Sequence, residues 1–463
     1  MKKPILVIQM QRMGDLILSY PLLLWLRRMY PGHPVWVMAE PRFAAPLARM
    51  SPDVRYLGYG QSAAVLNETF HLVVNLSHRA ESMELAGRLR CGELVGAYVR
   101  DGATRVNGAW QEYRMSLSHN NRHNRFHWAD LNALDVVPAR FMAQTRWPEP
   151  RTMPADVRQV GLFLGASEPD KRPSAGFWAQ LVAEIEKRGF VPVLLGGPAE
   201  KELGREVRRL AARPVASACG TLGLDRFVML GQRLAALITP DTGPMHLAAW
   251  TGLRVLNLSM GPVHAWETGP YQPGHLVLRS ARDCVGCWRC RYESPRCHGP
   301  FHPARVAGLL ETALRGPHQR ISGLRLPGLE VYASGRRAGL YDLVPLSARS
   351  KAGQVLGAYW QAFWLHAFGA GAAAGCRAAA AALREGHGPL ARVMAAEALR
   401  FIRALATAAD PVRRALDWEC VSPSLRPLSG YCAAHVSNHD GSAESVRRVL
   451  ALIEAHIGFL AEG

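Results

Sequence analysis

The chain has 463 residues, 49% of them hydrophobic, and 55 Lys+Arg stand against 37 Asp+Glu for a formal net charge of +18. At roughly 100–200 residues per domain the length holds about two to four domains, each with enough apolar content for a core, which excludes a disordered chain and a disulfide-stapled miniprotein. The excess of cations attracts polyanions in general, but pairs such as Arg27-Arg28 and Arg208-Arg209 are scattered through every segment. With no basic helix, zinc-finger spacing or RNP-like aromatic stripe, no nucleic-acid partner is expected.

In chain order, Met1-Lys2-Lys3 resembles the start of a signal peptide, yet Gln9, Gln11, Arg12 and Asp15 interrupt the apolar run that should follow. Leu16 to Leu26 is bounded by Asp15 and Arg27, short of the ~18 apolar residues of a spanning helix. A cytoplasmic location is therefore expected. Pro4 to Ile8 predicts a buried strand, Leu16 to Met29 a helix, and Val35 to Met38 and Leu72 to Leu76 further strands, the rhythm of βα units around a parallel sheet. Between Arg100 and Pro154 the chain turns polar and rich in Trp, His and Asn, and Trp147-Pro148-Glu149-Pro150 reads as a linker. The rhythm then restarts: strands at Val160 to Leu164, Val191 to Leu195, Leu237 to Thr239 and Val255 to Leu258, and helices from about Ser174 to Lys187, from Ala199 to Leu210 and at Thr242-Gly243-Pro244. After about Pro327 an Ala- and Arg-rich helical pattern takes over. The predicted domains are 1–150, 151–326 and a helical extension over 327–463. Open α/β sheets bind ligands at the carboxyl ends of their strands, which directs attention to the loops after Ile8, Leu164, Leu195 and Thr239.

Each of those loops carries reactive or anion-binding chemistry. After the first strand, Gly14 permits a close turn and Asp15 offers a carboxylate, which taken alone reads first as a helix cap. Gly165 to Lys171 offers the Ser167 hydroxyl and the Lys171 ammonium, although a solvated surface loop has the same composition. Gly196-Gly197-Pro198-Ala199-Glu200 lets a ligand approach the backbone, with Glu200 able to accept from hydroxyls or simply to favour the helix start. At Asp241-Thr242-Gly243-Pro244 the free N–H groups of a helix start suit a diphosphate. His246, two residues on from Pro244, reads as a packed helical residue.

Taken together and in this order, x-G-D with Pro21 downstream, G-x5-K, G-G-P-x-E, and Asp241 to Ala249 followed by a strand and Gly261-Pro262 resemble glycosyltransferase family 9, the bacterial heptosyltransferases, over about residues 4 to 315. The resemblance implies an α/β GT-B fold: two Rossmann-like domains facing across a cleft, here with the helical extension added. It further implies inverting transfer of a sugar, usually heptose from ADP-heptose, to the inner core of lipopolysaccharide. Asp15 would match the general base, Ser167 and Lys171 the phosphate-binding hydroxyl and lysine, and Glu200 a ribose contact. Asp241 would match the sugar-binding acid, and Thr242 with Gly243 the diphosphate-binding backbone. Lys171-Arg172-Pro173 departs from the aromatic-proline continuation common in the family.

Inverting transfer needs one base for the attacking hydroxyl, and because a nucleotide diphosphate leaves as a stable anion, fixed positive charge replaces a catalytic acid. On this scheme no cofactor is required, and Lys171 with the amides at Thr242 and Gly243 supply the charge. The expected partners are a nucleotide-sugar donor, an anionic glycolipid acceptor and, through the basic surface, the inner face of the cytoplasmic membrane as a peripheral site. Cys284-x2-Cys287-x2-Cys290-x6-Cys297, with His298 and His302 nearby, has the spacing of a structural zinc or iron–sulfur site; the expectation here is a structural loop, the metal being the weaker reading. Two other functions stay open: a sugar-nucleotide epimerase of GT-B shape, and a non-enzymatic metal-binding interaction module.

Overall fold

The computed structural model describes residues 2–282, 284, 287–316, 318–346, 352–408, 410 and 417–461. The first sheet contains β1 (Ile5–Ile8), β2 (Val35–Met38), β3 (Arg55–Leu57), β4 (Thr69–Asn75), β5 (Arg90–Arg100) and β6 (Ala103–Asn107), in the order β3-β2-β1-β4-β5-β6. Its strands run parallel except β6, which returns antiparallel to β5. β1 is apolar at every position because helices cover both faces of a central parallel strand, and all four of its residues are buried.

The second sheet contains β7 (Gln159–Phe163), β8 (Val191–Leu195), β9 (Ala216–Ser217), β10 (Ala236–Pro240), β11 (Val255–Ser259), β12 (Leu276–Ser280), β13 (Leu329–Arg337) and β14 (Leu340–Pro345), ordered β14-β13-β12-β11-β10-β7-β8-β9. Here the structure moves an expected boundary. Residues from 327 do not begin a helical extension, because β13 pairs antiparallel with β12, and β14 with β13. The hairpin turn explains it: Arg337 pairs with Leu340 across Ala338 and Gly339 alone, both at positive φ (51° and 87°), the conformation that matches the twist of a two-residue hairpin.

The predicted Leu16 to Met29 helix is two helices, Met13–Leu18 and Tyr20–Met29, broken where the Ser19 hydroxyl donates to the Leu16 carbonyl at 2.6 Å. The polar stretch before the linker is no surface loop. Asn120, Asn121, His123, Asn124, His127, Asp130 and Asn132 are buried, and the segment ties the first half to the second. Tyr271 donates to Asp130 Oδ1 at 2.6 Å, the Tyr341 N–H donates to Asp130 Oδ2 at 2.8 Å, and His127 Nε2 lies 2.9 Å from the Gly269 carbonyl.

The helical extension proper starts at Ala352, with helices Ala352–Ala367, Ala373–Ala406, Arg426–Asn438 and Ala443–Ala461 among the described residues. The second of these kinks at His387, just ahead of Pro389, whose ring displaces the preceding turn. Tyr359, Trp360, Phe363 and Trp364 are buried, and His456 stacks on Trp360 with ring centroids 5.0 Å apart. These rings belong to one hydrophobic core with the first sheet's helical face, so the extension is packed into the body of the protein. Among the described residues no helix is long and apolar enough to cross a membrane.

Candidate active site

The loops after β1, β7, β8 and β10 lie at the carboxyl ends of their strands, as parallel α/β sheets require. Asp15 sits in the first turn of the Met13–Leu18 helix, where its Oδ2 accepts the Arg12 N–H at 3.1 Å. Gly14 beside it packs against the second half. A Cβ there would stand 3.3 Å from His246 Cδ2 and 3.7 Å from Gly243 Cα, and a Cβ on Gly243 would collide with Met13 Cε. The Asp15 loop and the Gly243–Trp250 helix start therefore face each other, in direct contact.

On the second domain's side, Asp241 directly follows β10. Its Oδ2 accepts the Thr268 hydroxyl at 2.6 Å, and its Oδ1 lies 3.8 Å from His246 Nε2. Burial pushes the Asp241 carboxyl above its ordinary range, opposed by the Thr268 hydrogen bond and by Lys171. Burial also pulls His246 down to about 4, against the pull of Asp15, so its imidazole is neutral near pH 7, and its Nδ1 is buried without a partner. Thr242 is the extended N-cap of the Gly243–Trp250 helix and its side chain makes no cap bond. The first N–H groups of a helix have no intrahelical acceptor and carry partial positive charge, so they are available to an anion.

Lys171 closes a short 3-10 turn, Pro169–Lys171, and donates to Glu168 Oε1 at 3.0 Å. Glu168 also faces Arg12 Nη1 at 3.8 Å, a second bridge between the halves. Ser167 is exposed on the same loop. Glu200 is buried and turned inward: its Oε2 accepts the Gly197 N–H at 2.8 Å and its carboxylate packs against Gly165. It thus braces its own loop. Cys284, Cys287, Cys290 and Cys297 line one small cavity with Gly261 and Pro262. Burial pushes the Cys287 and Cys297 thiols up, with neighbouring thiols adding to the effect. The Gly261 N–H donates to Cys297 Sγ at 3.3 Å, and His298 Nε2 lies 2.8 Å from the Asp170 carbonyl, so the cysteine loop buttresses the turn that carries Lys171. The four cysteines share a cavity, yet among the described residues no three of their sulfurs lie within 4.8 Å of one another, and the loop's contacts with Lys171's turn are made by the protein alone.

Several site residues were not singled out from the sequence. Glu267 is buried, accepts from Asn121 Nδ2 at 2.8 Å and from Asn124 Nδ2 at 3.0 Å, and burial pushes its carboxyl up to about 7. Arg114 lies within electrostatic reach of both Asp15 and Glu267, which hold its guanidinium charged against the downward pull of burial. Thr268 completes the set, and His246, read from the sequence as a packed helical residue, joins it. The only signal for Asn121 and Asn124 was the polar composition of a stretch read as leading to a linker; nothing local marks Glu267, which gains its setting from residues more than 140 positions away.

The sequence profile of glycosyltransferase family 9 (heptosyltransferase) matches residues 111–294. Lipooligosaccharide heptosyltransferase 2 of Haemophilus influenzae is 25% identical over 310 residues, covering 59% of this chain and 88% of that protein. The fold is shared with the E. coli ADP-heptose LPS heptosyltransferase II, at TM-score 0.51 and 20% identity over 67% of this chain and 98% of that one. It is shared equally with a family 9 glycosyltransferase of Veillonella parvula, at TM-score 0.50 and 20% identity over 68% and 97%. Two α/β halves meeting through strand-end loops, the profile match over residues 111–294 and the curated relative make the chain similar to the heptosyltransferases of glycosyltransferase family 9.

Proposed function

We propose that the protein is an inverting heptosyltransferase that moves heptose from ADP-heptose to a lipopolysaccharide core acceptor, with Asp15 as the general base. The observation that carries this reading is the apposition of Gly14 and Gly243, which sets the helix turn bearing Asp15 against the helix start that follows Asp241. The amides at Thr242 and Gly243 and the Lys171 ammonium receive the diphosphate and stabilise it as it leaves, since preorganised charge in a water-poor cleft costs no reorganisation during reaction. Asp241, held by Thr268, orients the sugar hydroxyls, and Ser167 adds a hydroxyl to the phosphates. Glu200 supports the donor loop, with a ribose contact as its second role.

Because Met13 covers Gly243, the donor reaches the amides only when the two loops part. Donor binding is thus coupled to opening of the cleft, and the loops close again over the activated sugar, excluding water. Arg114, with the formal charge of +18, favours a phosphorylated acceptor presented at an anionic membrane surface, where the protein binds peripherally. A thermal-shift screen with ADP, GDP, UDP and their sugar conjugates tests the donor: ADP-heptose should raise Tm most. A larger shift with a GDP or UDP sugar would reassign the donor.

A further inference from the structure

Away from the cleft, where the extension meets the first domain, lies a second cluster of reactive side chains. Glu112, in the Ala109–Ser116 helix, is buried, and two imidazoles from the far end of the chain converge on it. His435 Nδ1 lies 2.6 Å from its Oε2, and His439 Nε2 lies 2.8 Å from its Oε1. The two histidines are four residues apart at the end of the Arg426–Asn438 helix, a spacing that puts both on one face. One ligand atom from each of the three residues falls within 4.8 Å of the others. Asn438 Nδ2 donates to Oε1 at 2.8 Å and Tyr431 to Oε2 at 3.4 Å, so the carboxylate is oriented by outer partners in the way that metal-ligating carboxylates are. A cavity of about 310 Å³ opens beside the cluster, with Glu444 and Arg448 on its wall.

We propose that Glu112, His435 and His439 bind one divalent transition-metal ion of the zinc class, with a fourth coordination position toward the cavity. Two imidazoles and one carboxylate with an open position are a donor set that zinc takes readily, and at metal–ligand distances of about 2.0–2.2 Å the ligand atoms stand roughly 3.3–3.5 Å apart. The ligand atoms, within 4.8 Å of one another, bracket that spacing. A plain hydrogen-bonded clasp would use the same three residues but has no need of an open space beside them. Arg448 opposes a cation and Glu444 offsets it. The ion would tie together segments more than 320 residues apart, fastening the extension to the first domain. This site is independent of the sugar chemistry proposed for the cleft.

The test uses the full-length protein, stripped with a chelator and titrated with Zn²⁺, in a Cys287→Ser/Cys290→Ser background that removes thiolate binding. One equivalent should be retained, with a Tm rise of at least ~2 °C, and both should be lost, or binding weakened at least tenfold, on adding His439→Gln or Glu112→Gln. His439 has a 44% exposed side chain, so its replacement leaves the buried packing in place. In the unmodified chain, Co²⁺ should give visible bands free of thiolate charge transfer that vanish with His439→Gln. Zinc content and Tm response that His439→Gln leaves unchanged, or Co²⁺ bands of thiolate origin only, would overturn the proposal.

Discussion

Two regions of this molecule bury carboxylates beside imidazoles, and they do so in opposite ways. At the junction with the extension, burial pushes Glu112 up, but hydrogen bonds from His435, His439 and Asn438 outweigh it and hold the carboxyl below its ordinary range. In the cleft, burial wins: Asp241 and Glu267 are pushed up, and His246 is neutral with one ring nitrogen unpartnered. The junction joins the extension to the first half through hydrogen bonds, whereas the cleft keeps a buried imidazole nitrogen of His246 without a partner.

The largest effect that would sharpen this contrast is expected at Lys171. Lys171→Ala removes fixed charge from the departing diphosphate and should lower kcat by about 10²–10³-fold, read in a transfer assay, with the unfolding midpoint unchanged because the side chain's partner, Glu168, is itself partly solvated. An equal loss from Glu112→Gln would break the division between the two regions.

Next comes the pH dependence of stability. Glu267 carries its proton up to about pH 7 in the folded state, whereas the unfolded chain releases it near 4.5. Between those values Glu267 is protonated in the native state and ionised in the unfolded one, so its own contribution to stability falls as pH rises, by about 3 kcal/mol across the window. Denaturant titrations from pH 4.5 to 7.5 should isolate this contribution as the difference between the unmodified protein and Glu267→Gln, because buried histidines such as His246 and His275 contribute the opposite slope to both. Thr268→Val withdraws the hydroxyl from Asp241 and should cost about 1–3 kcal/mol, since a buried carboxylate is left short of a donor; chemical unfolding measures it. The smallest effect belongs to Arg12→Ala. Its pair with Glu168 is exposed, with side chains 71% and 45% accessible, and should contribute under about 1 kcal/mol in thermal unfolding at low salt.

The parallel strands were legible because a buried strand is an uninterrupted apolar run, and Ile5–Ile8 and Val191–Leu195 fall where that signal puts them. The site loops were legible for a related reason: glycines, Asp15, Lys171 and Asp241 sit where strands end. The hairpin at Ala338-Gly339 was passed over because the helical composition beyond it dominated the reading, although Val331, Tyr332 and Tyr341 are strand formers. His246 was read as packing, which is half of what it does: it is buried, and it also faces Asp241. Glu267 could not be found locally, because a glutamate in a four-residue helix acquires a raised pKa only from burial against residues far away in sequence.

The account rests on Asp15 accepting a proton from the acceptor hydroxyl while the opposite half holds the donor. Measuring kcat and donor Kd for Asp15→Asn tests this directly. The account predicts a fall in kcat of about 10²–10⁴-fold with donor Kd within about twofold of the unmodified protein. An Asn variant that transfers sugar at the full rate would contradict it.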